Sequence, residues 1–406
     1  MTPQEWAVEV VKTLQQAGFQ ALWAGGCVRD ALLEIAPKDY DVATSATPDE
    51  VQQLFGLKKT LPIGKSFGVI TIIGPKSAGH IEVATFRRDG DYGDGRRPDS
   101  VEFTDAKEDA LRRDFTINGM FFDPVAEMVI DYVDGEADIQ KKVIRAIGDA
   151  QHRIEEDKLR MLRGVRFAAT YGFEIESKTM LAIQQRAASI SAVSPERIGA
   201  ELRRMFGHNS RARAMSLLIE SKLWENVLPH EFKGYLNWSE KSGLFKHLDS
   251  GFPTTLAALL LGTGFKAEML QDSWRLKNDE VARADWILAN EKHLSQAVTL
   301  KWSQLQPLLT SKHASHAIGL MQAVLNHGEH SSELAASIDC CREKLELEPA
   351  ILNPAPLLGG TDLAALGLSP GPQFKSVLQS VRDMQLDGEL RTSDEAREWV
   401  ARTLGL

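Results

Sequence analysis

Asp39 and Asp41 flank a single tyrosine in Lys38-Asp39-Tyr40-Asp41. On a strand, alternate side chains share a face, so the two carboxylates project together. Paired hard oxygen ligands suit Mg²⁺ and the phosphate chemistry it supports. Upstream, Gly25-Gly26-Cys27-Val28-Arg29-Asp30 joins an apolar strand over Phe19–Trp23 to a short helix. Glycines there let backbone N–H groups approach a phosphate, and a helix start adds partial positive charge. Taken separately, a glycine turn is common and two alternating Asp residues also fit a solvated strand end. Taken together, a phosphate cradle beside an acidic pair points to a metal-bound nucleoside triphosphate.

Further along, Leu111-Arg112-Arg113-Asp114-Phe115-Thr116-Ile117-Asn118 offers fixed cations and hydrogen-bonding groups suited to a sugar and phosphates. Its Arg-Arg-Asp core also fits a charged helix end. Glu155-Glu156-Asp157-Lys158-Leu159-Arg160 continues to Arg163 and Arg166. A separation of three makes Asp157 and Arg160 neighbours on a helix face, with Leu159, Leu162, Val165 and Ala169 free to pack elsewhere. In isolation that pair also reads as a surface salt bridge. Glu82, on the alternating run His80–Phe86, is either a third carboxylate beside Asp39 and Asp41 or an outward-facing strand residue.

In chain order, GGxVRD…KDYD, RRDFTIN and EDxxRxxRxxRF resemble the motifs of the class II tRNA nucleotidyltransferase and bacterial poly(A) polymerase family, among the polymerase-β-like nucleotidyltransferases. The resemblance implies that Asp39 and Asp41 are the catalytic carboxylates and hold two Mg²⁺ ions. It implies that Gly26 and Arg29 bind the triphosphate, that Arg113 is the nucleotide-binding arginine, and that Asp114 and Asn118 lie near the ribose. Asp157 and Arg160 become an amino-acid template for the incoming base. A carboxylate accepts from the exocyclic amine of C or A and a guanidinium donates to the adjacent ring nitrogen, whereas U and G present the opposite pattern. Arg163 and Arg166 would contact the triphosphate or stack on the base. Ser194-Pro195-Glu196-Arg197-Ile198 matches a motif that braces the neck helices.

The expected activity is addition of CCA to the 3′ end of tRNA from CTP and ATP. The loop Arg87–Thr104, with Gly90, Gly93 and Gly95, is retained, which favours an enzyme that adds the terminal A. An A-adding enzyme or a poly(A) polymerase shares nearly every motif. Pro62–Val69 lacks the basic string that resembles poly(A) polymerases, so those rank second. A catalytically inert RNA-binding relative would be expected to lose Asp39 or Asp41.

The elements that must position these residues are legible in outline. Thr2-Pro3-Gln4-Glu5 and Thr47-Pro48-Asp49-Glu50 are helix starts with an N-cap, a first-turn Pro and a capping-box Glu. Phe67–Ile73, His80–Phe86 and Val101–Phe103 read as strands. After Asp149 the apolar spacing turns helical. The expected fold is α+β: a mixed-sheet nucleotidyltransferase head at 1–150, then an all-α neck at 151–215, a body at 216–330 and an RNA-binding tail at 331–406. The segment from Gly359-Gly360-Thr361-Asp362-Leu363 to Gly371-Pro372 is similar to the tail of several bacterial members.

Composition sets the limits. The chain has 406 residues and a net charge of −9. Residues 151–215 carry twelve Lys/Arg against seven Asp/Glu, a basic segment on an acidic body that is compatible with phosphate contact. The three cysteines form no CxxC pair and no zinc spacing. The first twenty residues have no secretory pattern and no stretch suits a bilayer. A cytoplasmic location is expected, with no membrane and no obligate protein partner.

Overall fold

The computed structural model describes residues 1–90, 101–232, 238–249, 251–328, 331–369 and 371–405. The chain divides into two compact units. One comprises Met1–Met205 with Arg213–Gly234, and the other Phe206–Ala212 with Tyr235–Leu406.

The first unit is built on a mixed sheet. Its strands are β1 (Ala21–Ala24), β2 (Asp41–Thr44), β3 (Thr60–Leu61), β4 (Val69–Ile73), β5 (His80–Thr85), β6 (Arg87–Asp89), β7 (Val101–Phe103), β8 (Phe121–Asp123), β9 (Met128–Ile130), β10 (Val143–Ile144) and β11 (Glu174–Ile175). Seven of them form one sheet in the order β3-β4-β5-β2-β1-β8-β9. Within it β2 and β5 run parallel, with Asp41 opposite Glu82, and the other neighbours are antiparallel.

Helices α1 (Pro3–Gln16) and α3 (Pro48–Phe55) begin with the capping boxes expected at Thr2 and Thr47. Between them, α2 (Gly26–Leu32) follows the glycine turn. Val10, Val11 and Leu14 of α1 and Val51 of α3 bury one sheet face together with Trp23, Val42, Ile70 and Val83. Ala106 and Ala110 of α4 (Ala106–Leu111) cover the other face with Leu22, Ala43, Phe86 and Phe121. With both faces covered, β1 is buried at every position, which removes the alternation a one-sided strand would show.

Some elements differ from the sequence reading. The strand expected at Val101–Phe103 forms, but it pairs with β6 in a separate two-stranded ribbon. Residues 91–100, with most of the glycine-rich loop, lie outside the described residues. The short strands β8 and β9 complete the sheet edge without a period long enough to be read.

After α5 (Gly135–Lys141) come α6 (Ala150–Glu156), α7 (Arg160–Tyr171), α8 (Ser177–Arg186) and α9 (Pro195–Phe206). The spacing predicts Asp157 and Arg160 on one helix face, but the helix is broken between them. Asp157 has an extended backbone (φ −143°, ψ 103°) and closes α6, while α7 starts at Arg160. The carboxylate of Asp157 accepts from the Leu159 backbone N–H at 3.1 Å, a local bond that competes with helix continuation. Gly164 lets α7 approach Phe115 closely, because a Cβ there would lie 3.0 Å from its ring.

Among the described residues, every element after β11 is helical. The second unit packs Phe206, Phe245 and Trp274 together, with ring centroids 5.8 and 6.5 Å from Phe206. Towards the C-terminus, Leu363, Val377, Val381, Ala396 and Val400 form a separate apolar cluster.

Candidate active site

Asp41 stands at the first position of β2, and Tyr40 before it is buried against Trp23, 4.8 Å between ring centroids. Tyr40 is buried while Asp39 and Asp41 on either side of it are exposed, an alternation like a strand's, although Asp39 lies before the first residue of β2 and not on the strand itself. Register then adds Glu82 from β5 opposite Asp41. Asp41 is exposed at the strand end, yet the protein packed around the cleft desolvates its carboxyl and pushes it up to about 6, and the charges of Asp39 and Glu82 add to this, with Arg113 opposing. Like charges crowded at one edge of a sheet favour a cation between them.

The turn into α2 needs glycine at Gly25. Its φ is +70°, and a Cβ there would meet Arg113 Nη1 at 2.8 Å. Arg113 is fixed from behind, donating from Nε and Nη2 to Asp109 Oδ2 at 3.2 and 3.0 Å and from Nη1 to the Asn118 carbonyl at 3.3 Å. Arg112 donates to the other oxygen of Asp109 at 2.7 and 2.9 Å.

Arg29 is buried. It donates to Asp30 Oδ1 at 2.9 and 2.7 Å and to Asn118 Oδ1 at 2.5 Å. Asn118 in turn donates to Asp114 Oδ1 at 3.0 Å, and Asp114 Oδ2 accepts from Arg163 Nε at 2.7 Å. Burial pushes the Asp114 carboxyl up, but Arg163, Asn118 and Arg160 outweigh it and hold the group down at about 2. Asp114 is thus engaged with protein partners on both oxygens.

Asp157 and Arg160 are not paired with each other. Asp157 accepts from Arg197 Nη2 at 2.7 Å. Arg160 pairs with Glu156, and donates to the carbonyls of Arg153 at 2.8 Å and Arg112 at 3.2 Å. Arg166 donates to the buried Glu201 at 2.5 Å and lies 4.1 Å over the Phe167 ring.

These groups converge. Gly26, Arg29, Asp41, Arg113, Asp157, Arg160, Arg163 and Arg166 all line one cleft of about 550 Å³. Asp39 is exposed beside it and acts on Asp41 by charge. The cleft wall also includes Arg112, one of the fixed cations expected of its motif, and Arg87 and Phe167, to which the sequence reading gave no role. Phe167 carries guanidinium groups of Arg29, Arg163 and Arg166 within 5.3 Å of its ring. The motif ending in Arg-Phe held that signal.

Relatives match this chain along nearly its whole length. Residues 21–145 match the family described as Poly A polymerase head domain, and residues 172–232 the probable RNA and SrmB-binding site of polymerase A. The CCA-adding enzyme of Levilactobacillus brevis is 32% identical over 397 residues, covering 95% of this chain and 94% of that protein. The chain belongs to the CCA-adding enzyme family. A second CCA-adding enzyme, from Bacillus pumilus, is 36% identical over 305 residues, 74% of this chain and 73% of its own. The Bacillus stearothermophilus CCA-adding enzyme, solved in complex with CTP, superposes with a TM-score of 0.81 at 26% identity, covering 100% of this chain and 98% of that one. The Thermotoga maritima CCA-adding enzyme, solved with tRNA, shares the fold at a TM-score of 0.70 and 21% identity, covering 98% and 95%.

Proposed function

We propose that the chain adds CCA to the 3′ end of tRNA, using CTP and ATP and releasing pyrophosphate. The observation that carries this reading is one cleft in which an acidic sheet edge, seven arginines and the separately held Asp157 carboxylate converge. The RNA 3′-hydroxyl attacks the α-phosphate, a new P–O bond forms, the bond to the β-phosphate breaks to release pyrophosphate, and the hydroxyl proton passes to solvent. Arg29 and Arg113 neutralise triphosphate charge, and their fixed hydrogen bonds keep them preorganised. Asp157 and Arg160 present an acceptor and a donor to the Watson–Crick edge of C or A. Arg163 and Arg166 flank Phe167 at the same wall.

Enzymes of this family work with a divalent metal. The donor set fits one: Asp41 and Asp39 offer hard oxygens, with Glu82 in register beside Asp41, and their mutual repulsion is under-compensated. Among the described residues no group of three or more His, Cys, Asp or Glu is placed to hold a metal ion by itself. In this reading two Mg²⁺ ions are held there, and when bound they polarise the phosphates and lower the pKa of the hydroxyl. A tRNA substrate suits a cytoplasmic location. Among the described residues no helix is long and apolar enough to cross a membrane.

The test supplies tRNA lacking its 3′ end with CTP, ATP or both. Addition of two C residues with CTP and one further A with both is expected. A ladder of A residues on unrelated RNA identifies a poly(A) polymerase. Refusal of C with addition of A to RNA ending in CC identifies an A-adding enzyme. Asp39→Ala and Asp41→Ala should each abolish incorporation while the protein stays folded by circular dichroism. Activity within about tenfold of wild type in both would remove them from the metal site.

A further inference from the structure

Tyr171 is the last residue of α7 and lies beyond the final residue of the EDxxRxxRxxRF motif. Its hydroxyl donates to Asp30 Oδ1 at 3.0 Å. That same oxygen accepts from Arg29 Nε at 2.9 Å and Nη2 at 2.7 Å. The Tyr171 ring lies 4.7 Å from the Arg29 guanidinium carbon, and the Phe167 ring 5.2 Å. Arg29 therefore meets a carboxylate along one edge, an amide oxygen at Nη1 and two aromatic rings across its plane. Of the five guanidinium N–H groups, Asp30 takes two and Asn118 one. One N–H on each terminal nitrogen remains for a ligand.

We infer that Tyr171 is a positioning residue for nucleotide binding: through Asp30 it locks Arg29 side-on, so that the two remaining N–H groups serve the triphosphate in the cleft. The inference rests on the reading that this cleft binds CTP and ATP. The hydroxyl is a dependable donor, because burial pushes its pKa up to about 12. Without it, Asp30 regains rotation and Arg29 regains rotamers that a flexible side chain otherwise samples. The link also joins α2 to the helix that carries Arg160, Arg163 and Arg166. Both nucleotides should feel it equally, because a triphosphate is common to them and the base is not.

Tyr171→Phe keeps the ring and its stacking and deletes only the hydroxyl. Equilibrium binding of CTP and of ATP should weaken about 3- to 10-fold, the scale of one charge-assisted hydrogen bond. KM should rise in parallel for both nucleotides, with kcat within about twofold and refusal of UTP and GTP retained. Asp30→Asn should give a similar rise, and the double variant should be no worse than Asp30→Asn alone, because the hydroxyl acts through Asp30. Unchanged CTP and ATP binding in Tyr171→Phe overturns the inference. So does a lower kcat at constant KM, which a merely structural role would produce. Failure of the wild-type protein to bind CTP would overturn the nucleotide reading itself, and is recognised before any variant is compared.

Discussion

A single buried carboxylate, Asp109, aims two arginines of the cleft. One oxygen accepts from Arg112, the other from Arg113, and the Arg87 backbone N–H reaches the first at 3.3 Å. Burial pushes its pKa up, but Arg113 and Arg112 outweigh that and hold it below the ordinary carboxylate value. Asp109 is therefore charged at neutral pH, and its surroundings are arranged for the ion. Asp109→Asn should destabilise the protein by about 3 kcal/mol, since it leaves two partly buried guanidinium groups under-compensated. It should also raise KM for CTP and ATP alike, because Arg113 loses its anchor. Urea unfolding and steady-state kinetics check both effects, and a neutral substitution would show that the arginines are held by other groups. Asp109 escaped the sequence reading because one acidic residue in a charged helix carries no pattern.

In the proposed function, base choice depends on the break between α6 and α7. A continuous helix would have set Asp157 and Arg160 side by side, where they would neutralise each other. Instead Arg197 of α9 holds Asp157, and Glu156 with two backbone carbonyls holds Arg160. Each edge group is fixed from outside the pair, so both can face one base. Asp157→Ala or Arg160→Ala should relax discrimination against UTP and GTP by roughly 1–3 kcal/mol. Arg197→Ala should relax it in the same direction by a smaller amount, because the carboxylate remains but is no longer oriented. Incorporation assays with all four nucleotides decide this. Variants that slow uniformly and still refuse UTP and GTP would reduce the break to scaffolding.

At the scale of the molecule, Asp114 ties the segment after α4 to α7 and so joins the sheet to the helices that follow it. Its carboxyl is held near 2 in the folded state, below the ordinary 3.8. A depressed pKa stabilises the fold above about pH 4, and that stabilisation is lost as pH falls from there toward 2. Asp114→Asn should cost about 2 kcal/mol at neutral pH, with the gap to wild type closing over that acidic window. Denaturant melts at several pH values measure it, and a pH-independent gap would refute the linkage. The sequence by itself determined the helix starts at Thr2 and Thr47, the change from strands to helices after Asp149, and the glycine turn before Arg29. It also marked several of the charged residues that line the cleft, Asp41, Arg113, Asp157 and Arg160 among them, because turns, caps and alternation are local and carry their signal in neighbouring residues. Tertiary structure decided what local pattern cannot encode. It set Glu82 opposite Asp41 by the register of two strands distant in sequence. It paired Arg163 with Asp114, Arg197 with Asp157 and Tyr171 with Asp30 across long separations. It broke the helix at Asp157, where a side-chain bond and a distant arginine together favour an extended backbone over one more helical turn.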